Sequence, residues 1–174
     1  MIRRVFLGLG LMLVGLRRRA WAQPEVQYAR LSRPVRIPVE QVAVPWSPVT
    51  FTAEAVAPET GTAAGRRVLI SGVLFRKPID TDRTGLSALC LTCPHEQCKV
   101  DLITDSALLV KIAGSADHPP VFECGCHLSV FDALENGARI AGETPRGLFR
   151  FRIAGVHEGA VEIGEIEADA LTEV

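Results

Sequence analysis

At 174 residues, 48% of them apolar and 22% charged, the chain suits one domain with a sizeable core and excludes a disordered or fibrous class. Its net charge of −1 conceals an asymmetry: five arginines and no acid lie in residues 1–22, leaving 14 basic and 20 acidic residues, or −6, in the rest. An acidic body lacks the electropositive face that nucleic acids need and suits a basic protein surface as partner.

Arg3 and Arg4 precede Val5-Phe6-Leu7, and a glycine-containing apolar run continues to Leu16 before Arg17, Arg18 and Arg19 interrupt it. The run of about a dozen residues falls short of the ~20 needed to span a bilayer. Ala20-Trp21-Ala22, before Gln23, has the small-x-small form of a cleavage site. Residues 1–22 thus read as a twin-arginine export signal, an address recognised by a receptor. The body is then expected in the periplasm, or on the periplasmic face of the bacterial cytoplasmic membrane if the leader is retained as a tether.

Beyond the leader, the pattern is that of β-structure. Val35, Ile37 and Val39 alternate, and Val49-Thr50-Phe51-Thr52 is rich in β-formers. A Pro/Gly/Thr loop over Ala57–Gly65 precedes a predicted buried strand from Arg67 to Phe75. Lys77–Gly85 is polar and turn-forming, and the apolar run Leu86–Leu91 leads into a first group of cysteines. The spacing over Ser106–Ile112 predicts a short helix, and Val121–Glu123 leads into a second cysteine group. Leu148–Ile153 and Val161–Ile163 alternate as closing strands, with an acidic tail to Val174. The expectation is an all-β fold of small antiparallel sheets. It divides into a signal segment (1–22), an N-terminal β region (23–85), a cysteine-bearing subdomain (86–153), and a closing strand with acidic tail (154–174).

All five cysteines, at 90, 93, 98, 124 and 126, fall in two short windows together with two of the four histidines. The first window reads Cys93-Pro94-His95-Glu96-Gln97-Cys98, and the second Cys124-Gly125-Cys126-His127-Leu128-Ser129-Val130-Phe131-Asp132. Thiolate and imidazole are the donors of zinc sites and of iron–sulfur clusters with mixed ligands. Cys90-Leu91-Thr92-Cys93 also has a Cys-x-x-Cys frame, but no βαβ pattern accompanies it, so Cys90 reads as a small buried apolar residue.

The paired windows resemble the Rieske iron–sulfur family, in which Cys-x-His and Cys-x-x-His on two loops bind one [2Fe–2S] cluster. The resemblance covers Leu86–Ile153, including Gly142-Glu143-Thr144-Pro145 and Leu148, which look like the family's proline loop. Over Gln27–Phe75 it is mainly architectural. It implies a Rieske fold with a cluster-binding subdomain formed by two loops. Cys93 and Cys124 would hold one iron, and His95 and His127 the other. Ser129 would donate a hydrogen bond to a bridging sulfide, and Cys98 would pair with Cys126 in a disulfide that an oxidising periplasm permits. Export in the folded state suits a cluster inserted beforehand.

The implied role is one-electron transfer without catalytic residues of the chain's own. The chain would be the iron–sulfur subunit of a quinol–cytochrome c reductase-type complex, taking electrons from quinol. Alternatively, it would be the electron-relay small subunit of a periplasmic molybdoenzyme such as arsenite oxidase. In either case its partners are proteins, a cytochrome or a larger oxidoreductase subunit. A zinc-stabilised binding module without redox role is the alternative of a different class. Three residues depart from the respiratory members of the family. Glu96 stands where an apolar residue usually follows the first histidine, Leu128 replaces a glycine, and Phe131 replaces a tyrosine whose hydroxyl bonds a ligand sulfur. Losing that hydroxyl is expected to lower the reduction potential.

Overall fold

A computed structural model describes residues 26–59, 64–78 and 85–172; the segment 1–22, read as an export signal, lies outside them. The fold is all-β. In chain order the strands are β1 (Tyr28–Pro38), β2 (Val49–Val56), β3 (Arg67–Arg76), β4 (Leu86–Cys90), β5 (Val100–Ile103), β6 (Val121–Cys124), β7 (Ser129–Asp132), β8 (Ala138–Ala141), β9 (Phe151–His157) and β10 (Ala160–Glu167). Helix α1 (Ser106–Ala113) lies between β5 and β6. A six-stranded antiparallel sheet runs β4-β3-β2-β1-β10-β9, and a bridge from Leu89 to Arg150 nearly closes it into a barrel. A second antiparallel sheet runs β5-β6-β7-β8. No described helix is long and apolar enough to cross a membrane.

Strands β3 and β4 form a wall shared by two cores. Because side chains alternate across a strand, Ile70, Leu74, Ala88 and Cys90 point into the barrel. Val73, Phe75 and Leu89 point the other way, onto Phe122, Phe131 and Leu148 beside the second sheet. Every residue of β4 is buried. Burial on both faces holds for β4 and for residues 72–75 of β3 and suits apolar runs there, whereas the first half of β3 alternates, with Leu69 exposed. Gly72, on β3, lies under the edge-to-face pair Phe51–Phe151, whose ring centroids are 5.0 Å apart. A Cβ at Gly72 would stand 2.4 Å from the Phe51 ring, so only glycine fits.

The predicted helix forms over Ser106–Ala113, started by the Asp105 carboxylate accepting from the Leu108 N–H and ended by Gly114 at φ 78°. Its Leu109 covers Val121 and Val130 on the outer face of the second sheet. Several strand ends differ from the sequence pattern; the predicted strand Leu148–Ile153, for one, is observed as β9 over Phe151–His157. Val39 continues the alternation of β1, yet the strand stops at Pro38 and Val39 opens a 3-10 turn (Val39–Val42), its N–H bonded to the Gly159 carbonyl. At the other terminus, β10 continues to Glu167, and a 3-10 turn (Ala168–Leu171) buries Ala170 and Leu171 in the barrel core. Strands β5, β7 and β8 have no counterpart among the predicted elements. Each is four residues long, too short to show a period, and β8 is exposed throughout.

Candidate metal centre

Strand register places three loops at one end of the second sheet. Val100 at the start of β5 pairs with Cys124 at the end of β6, and Cys124 pairs with Ser129 at the start of β7. Val130 pairs with Ala141 at the end of β8. The loop entering β5, the β6–β7 turn and the loop leaving β8 therefore emerge side by side. They carry residues 91–99, 125–128 and 142–147.

The first loop folds on its own backbone. Thr92 and Lys99 form a bridge, the Val100 N–H donates to the Leu91 carbonyl at 3.0 Å, and the Cys93 N–H donates to the Cys98 carbonyl at 2.9 Å. The Gln97 N–H returns to the Cys93 carbonyl at 3.0 Å, with Gln97 itself at φ 59°. The second loop is the four-residue turn Gly125–Leu128, closed by Leu128 at φ 53°, a region costly for a side chain with a Cβ. Cys98 and Cys126 are joined by a disulfide with a Cα–Cα distance of 6.5 Å, which clamps the two loops together. In the third loop Gly142, at φ 92°, sits against Ser129; a Cβ there would lie 2.4 Å from the Ser129 Cα. Arg139 holds this loop by donating to the Thr144 carbonyl at 3.0 Å, and the buried Thr144 hydroxyl donates to the Arg146 carbonyl at 3.0 Å.

Every residue singled out in the two windows comes to this one place. Cys93 and Cys124 are free thiols, buried, and packed in one cluster with Phe122 and Phe131. Burial pushes the Cys93 thiol above its ordinary pKa. The backbone N–H of His95 opposes that rise, and the Cys124 thiol, in hydrogen-bond contact, adds to it. The His95 and His127 rings meet edge to face, with centroids 4.7 Å apart. Nδ1 of His95 and Oγ of Ser129 are buried without a partner. One ligating atom each of His95, Glu96 and His127 lie within 4.8 Å of one another.

A pair of thiols, a pair of imidazoles and a pair of orphaned polar atoms share one loop cluster. A buried polar atom without a partner costs about 1–3 kcal/mol, so such atoms mark where a bound group would complete the site. Two buried thiols and two imidazoles are a soft donor set for zinc or iron. The buried Ser129 hydroxyl is a donor without an acceptor, which the sulfur of a metal-bound thiolate or of a bound cluster would supply. The donor set thus suits a zinc ion or an iron–sulfur cluster.

Cys90, three residues before Cys93, belongs to the barrel core instead, and burial raises its thiol pKa. Its place on the far face of β4 separates it from the donor set. Thr144 belongs to the Gly142–Pro145 motif read in the sequence, whereas Arg139, which holds that loop by its bond to the Thr144 carbonyl, was not singled out there. No protein-family model and no curated protein matches the chain.

Proposed function

We propose that this chain is a Rieske-type electron-transfer protein, holding one [2Fe–2S] cluster with Cys93 and Cys124 on one iron and His95 and His127 on the other. One observation carries the reading. Two buried free thiols and two facing imidazoles lie on disulfide-joined loops, with the unpartnered Ser129 hydroxyl between strand and turn. Such a cluster supplies reversible one-electron chemistry at about −150 to +300 mV, against about −400 mV for plant-type ferredoxins, because imidazoles place less negative charge on one iron.

The chain's own residues would divide the work. Cys93 and Cys124 anchor the inner side, and Phe122, Phe131 and Leu148 exclude water there. His95 and His127 face outward; with its side chain 36% exposed, His127 offers the shortest route for an electron to a partner. The backbone N–H groups of His95 and Glu96 point at the Cys93 sulfur and would stabilise it as a thiolate. On this reading the chain itself makes or breaks no substrate bond and serves as a subunit of an oxidoreductase complex, with protein redox partners. Export of this chain to the periplasm by its 1–22 leader belongs to the same reading.

A quinol–cytochrome c reductase-type complex is the first candidate for that assembly. One observation favours the second, an electron-relay subunit of a periplasmic molybdoenzyme such as arsenite oxidase. Glu96, 60% exposed, stands beside His127 at the tip, and burying an unpaired carboxylate in an apolar quinol pocket costs several kcal/mol. The test is to purify the protein from cells supplied with iron, assay iron and acid-labile sulfide, and record the electron paramagnetic resonance spectrum after dithionite reduction. Equal iron and sulfide, with a signal whose average g lies below the free-electron value, is expected. Stoichiometric zinc with no such signal would sink the reading in favour of a zinc-stabilised binding module.

A further inference from the structure

We infer that Glu96 sets the reduction potential of the centre from outside its ligand set, by holding a carboxylate against the outward nitrogen of His127. The inference rests on the cluster reading above and adds a residue to it. The Oε2 of Glu96 lies 3.7 Å from Nε2 of His127, too long for a hydrogen bond but close for a charge. On the neighbouring ligand, Nδ1 is the buried and unpartnered nitrogen of His95. If His127 ligates in the same way, through Nδ1, its Nε2 is the outward atom, and Glu96 faces it.

Glu96 is held there by the loop. Its own N–H points at the Cys93 sulfur, and the next residue, Gln97, is fixed by its bond to the Cys93 carbonyl. The Cys98–Cys126 disulfide then brings this loop to the turn that carries His127. The backbone of Glu96 is thus fixed, and its exposed carboxylate reaches His127 from that anchored position.

The physical consequence follows from charge. Reduction adds one negative charge to the cluster, and a carboxylate one imidazole away from the histidine-bound iron opposes it. Glu96 therefore favours the oxidised state and lowers the potential. Because the carboxylate faces water, its field is screened by salt, with a Debye length of about 10 Å at 0.1 M. The contribution of Glu96 should shrink as ionic strength rises, which a purely structural role would not do.

The experiment is a redox titration of the iron-loaded wild type, Glu96→Gln and Glu96→Asp, followed by paramagnetic resonance at low and high salt. Glu96→Gln is expected to shift the one-electron equilibrium toward reduction by about threefold to tenfold, the upper figure being about 59 mV. The shift should diminish at high salt, Glu96→Asp should stay near wild type, and the g values should be unchanged in all three. A normal cluster signal with an unchanged midpoint in Glu96→Gln would overturn this inference alone. A wild type that binds iron yet gives no such signal would overturn the cluster reading, and this inference with it.

Discussion

Ser129 and Phe131 are two places apart on β7, and under the proposed cluster reading they act on its inner side in opposite ways. The Ser129 hydroxyl is buried and unpartnered, pressed between the β6–β7 turn and Gly142. A donor aimed at bound sulfide stabilises the reduced, more negative cluster. Ser129→Ala is therefore expected to lower the midpoint potential. A neutral hydrogen bond of about 0.5–1.5 kcal/mol corresponds to at most about 65 mV for one electron, measurable by voltammetry on the loaded protein. Phe131, fully buried in one cluster with Cys93 and Cys124, lacks a hydroxyl where a tyrosine would carry one. Phe131→Tyr is expected to raise the potential by supplying a donor to a ligand sulfur. If titration shows no rise while thermal unfolding shows a loss of about 1–3 kcal/mol, the new hydroxyl has no acceptor there. The identities of both residues were readable in the sequence. Their burial was not, because β7 spans only four residues between two turns.

Two cross-links between elements bear on stability. The Cys98–Cys126 disulfide joins positions 28 residues apart and restricts the unfolded chain. Replacing both cysteines by serine is expected to cost about 3 kcal/mol, read as a lower midpoint in urea unfolding. The second link was not legible in the sequence. Glu167 ends β10 in the segment read as an acidic tail, yet its carboxylate is buried. Arg150 Nε reaches it at 2.5 Å, and Arg146, which also pairs with Asp169, contacts it as well. Glu167 in turn holds the Arg150 pKa above its ordinary value, against the opposing effect of burial. The two arginine side chains are 31% and 43% exposed and can turn to water, whereas the carboxylate cannot. Arg146→Ala with Arg150→Ala, which strands the buried charge, is thus expected to cost about 3–5 kcal/mol. Glu167→Gln should cost less, about 1–2 kcal/mol, since exposed cations lose little. Urea melts of the two variants test the order.

Across the whole molecule, the wall formed by β3 and β4 separates a barrel whose core is aliphatic and aromatic from a second core that includes Cys93 and Cys124. If the second core is completed by a bound cluster, removing iron should loosen it and leave the barrel intact. Hydrogen exchange on protein stripped of iron is expected to show faster exchange at residues 91–98 and 124–129. Protection in β1, β2, β9 and β10 should stay at the level of the loaded protein. Uniform loss of protection would mean that the two cores unfold as one unit.

The sequence by itself determined the donor types, their grouping in two windows and the β-rich class, because ligand chemistry and period-2 patterning are local properties of the chain. It also marked Arg67–Phe75 and Leu86–Leu91 as apolar runs, without showing that they form a wall between two cores. Tertiary structure decided the rest. The register Val100–Cys124–Ser129 brings the two windows to one sheet end, and residues 31 positions apart, Cys93 and Cys124, are placed in contact by pairing rather than by sequence. It also turned a C-terminal acid into a buried anchor and set Glu96 against His127 across the disulfide. Contacts between distant segments depend on strand register and loop closure, and neither leaves a local signature in the residues that meet.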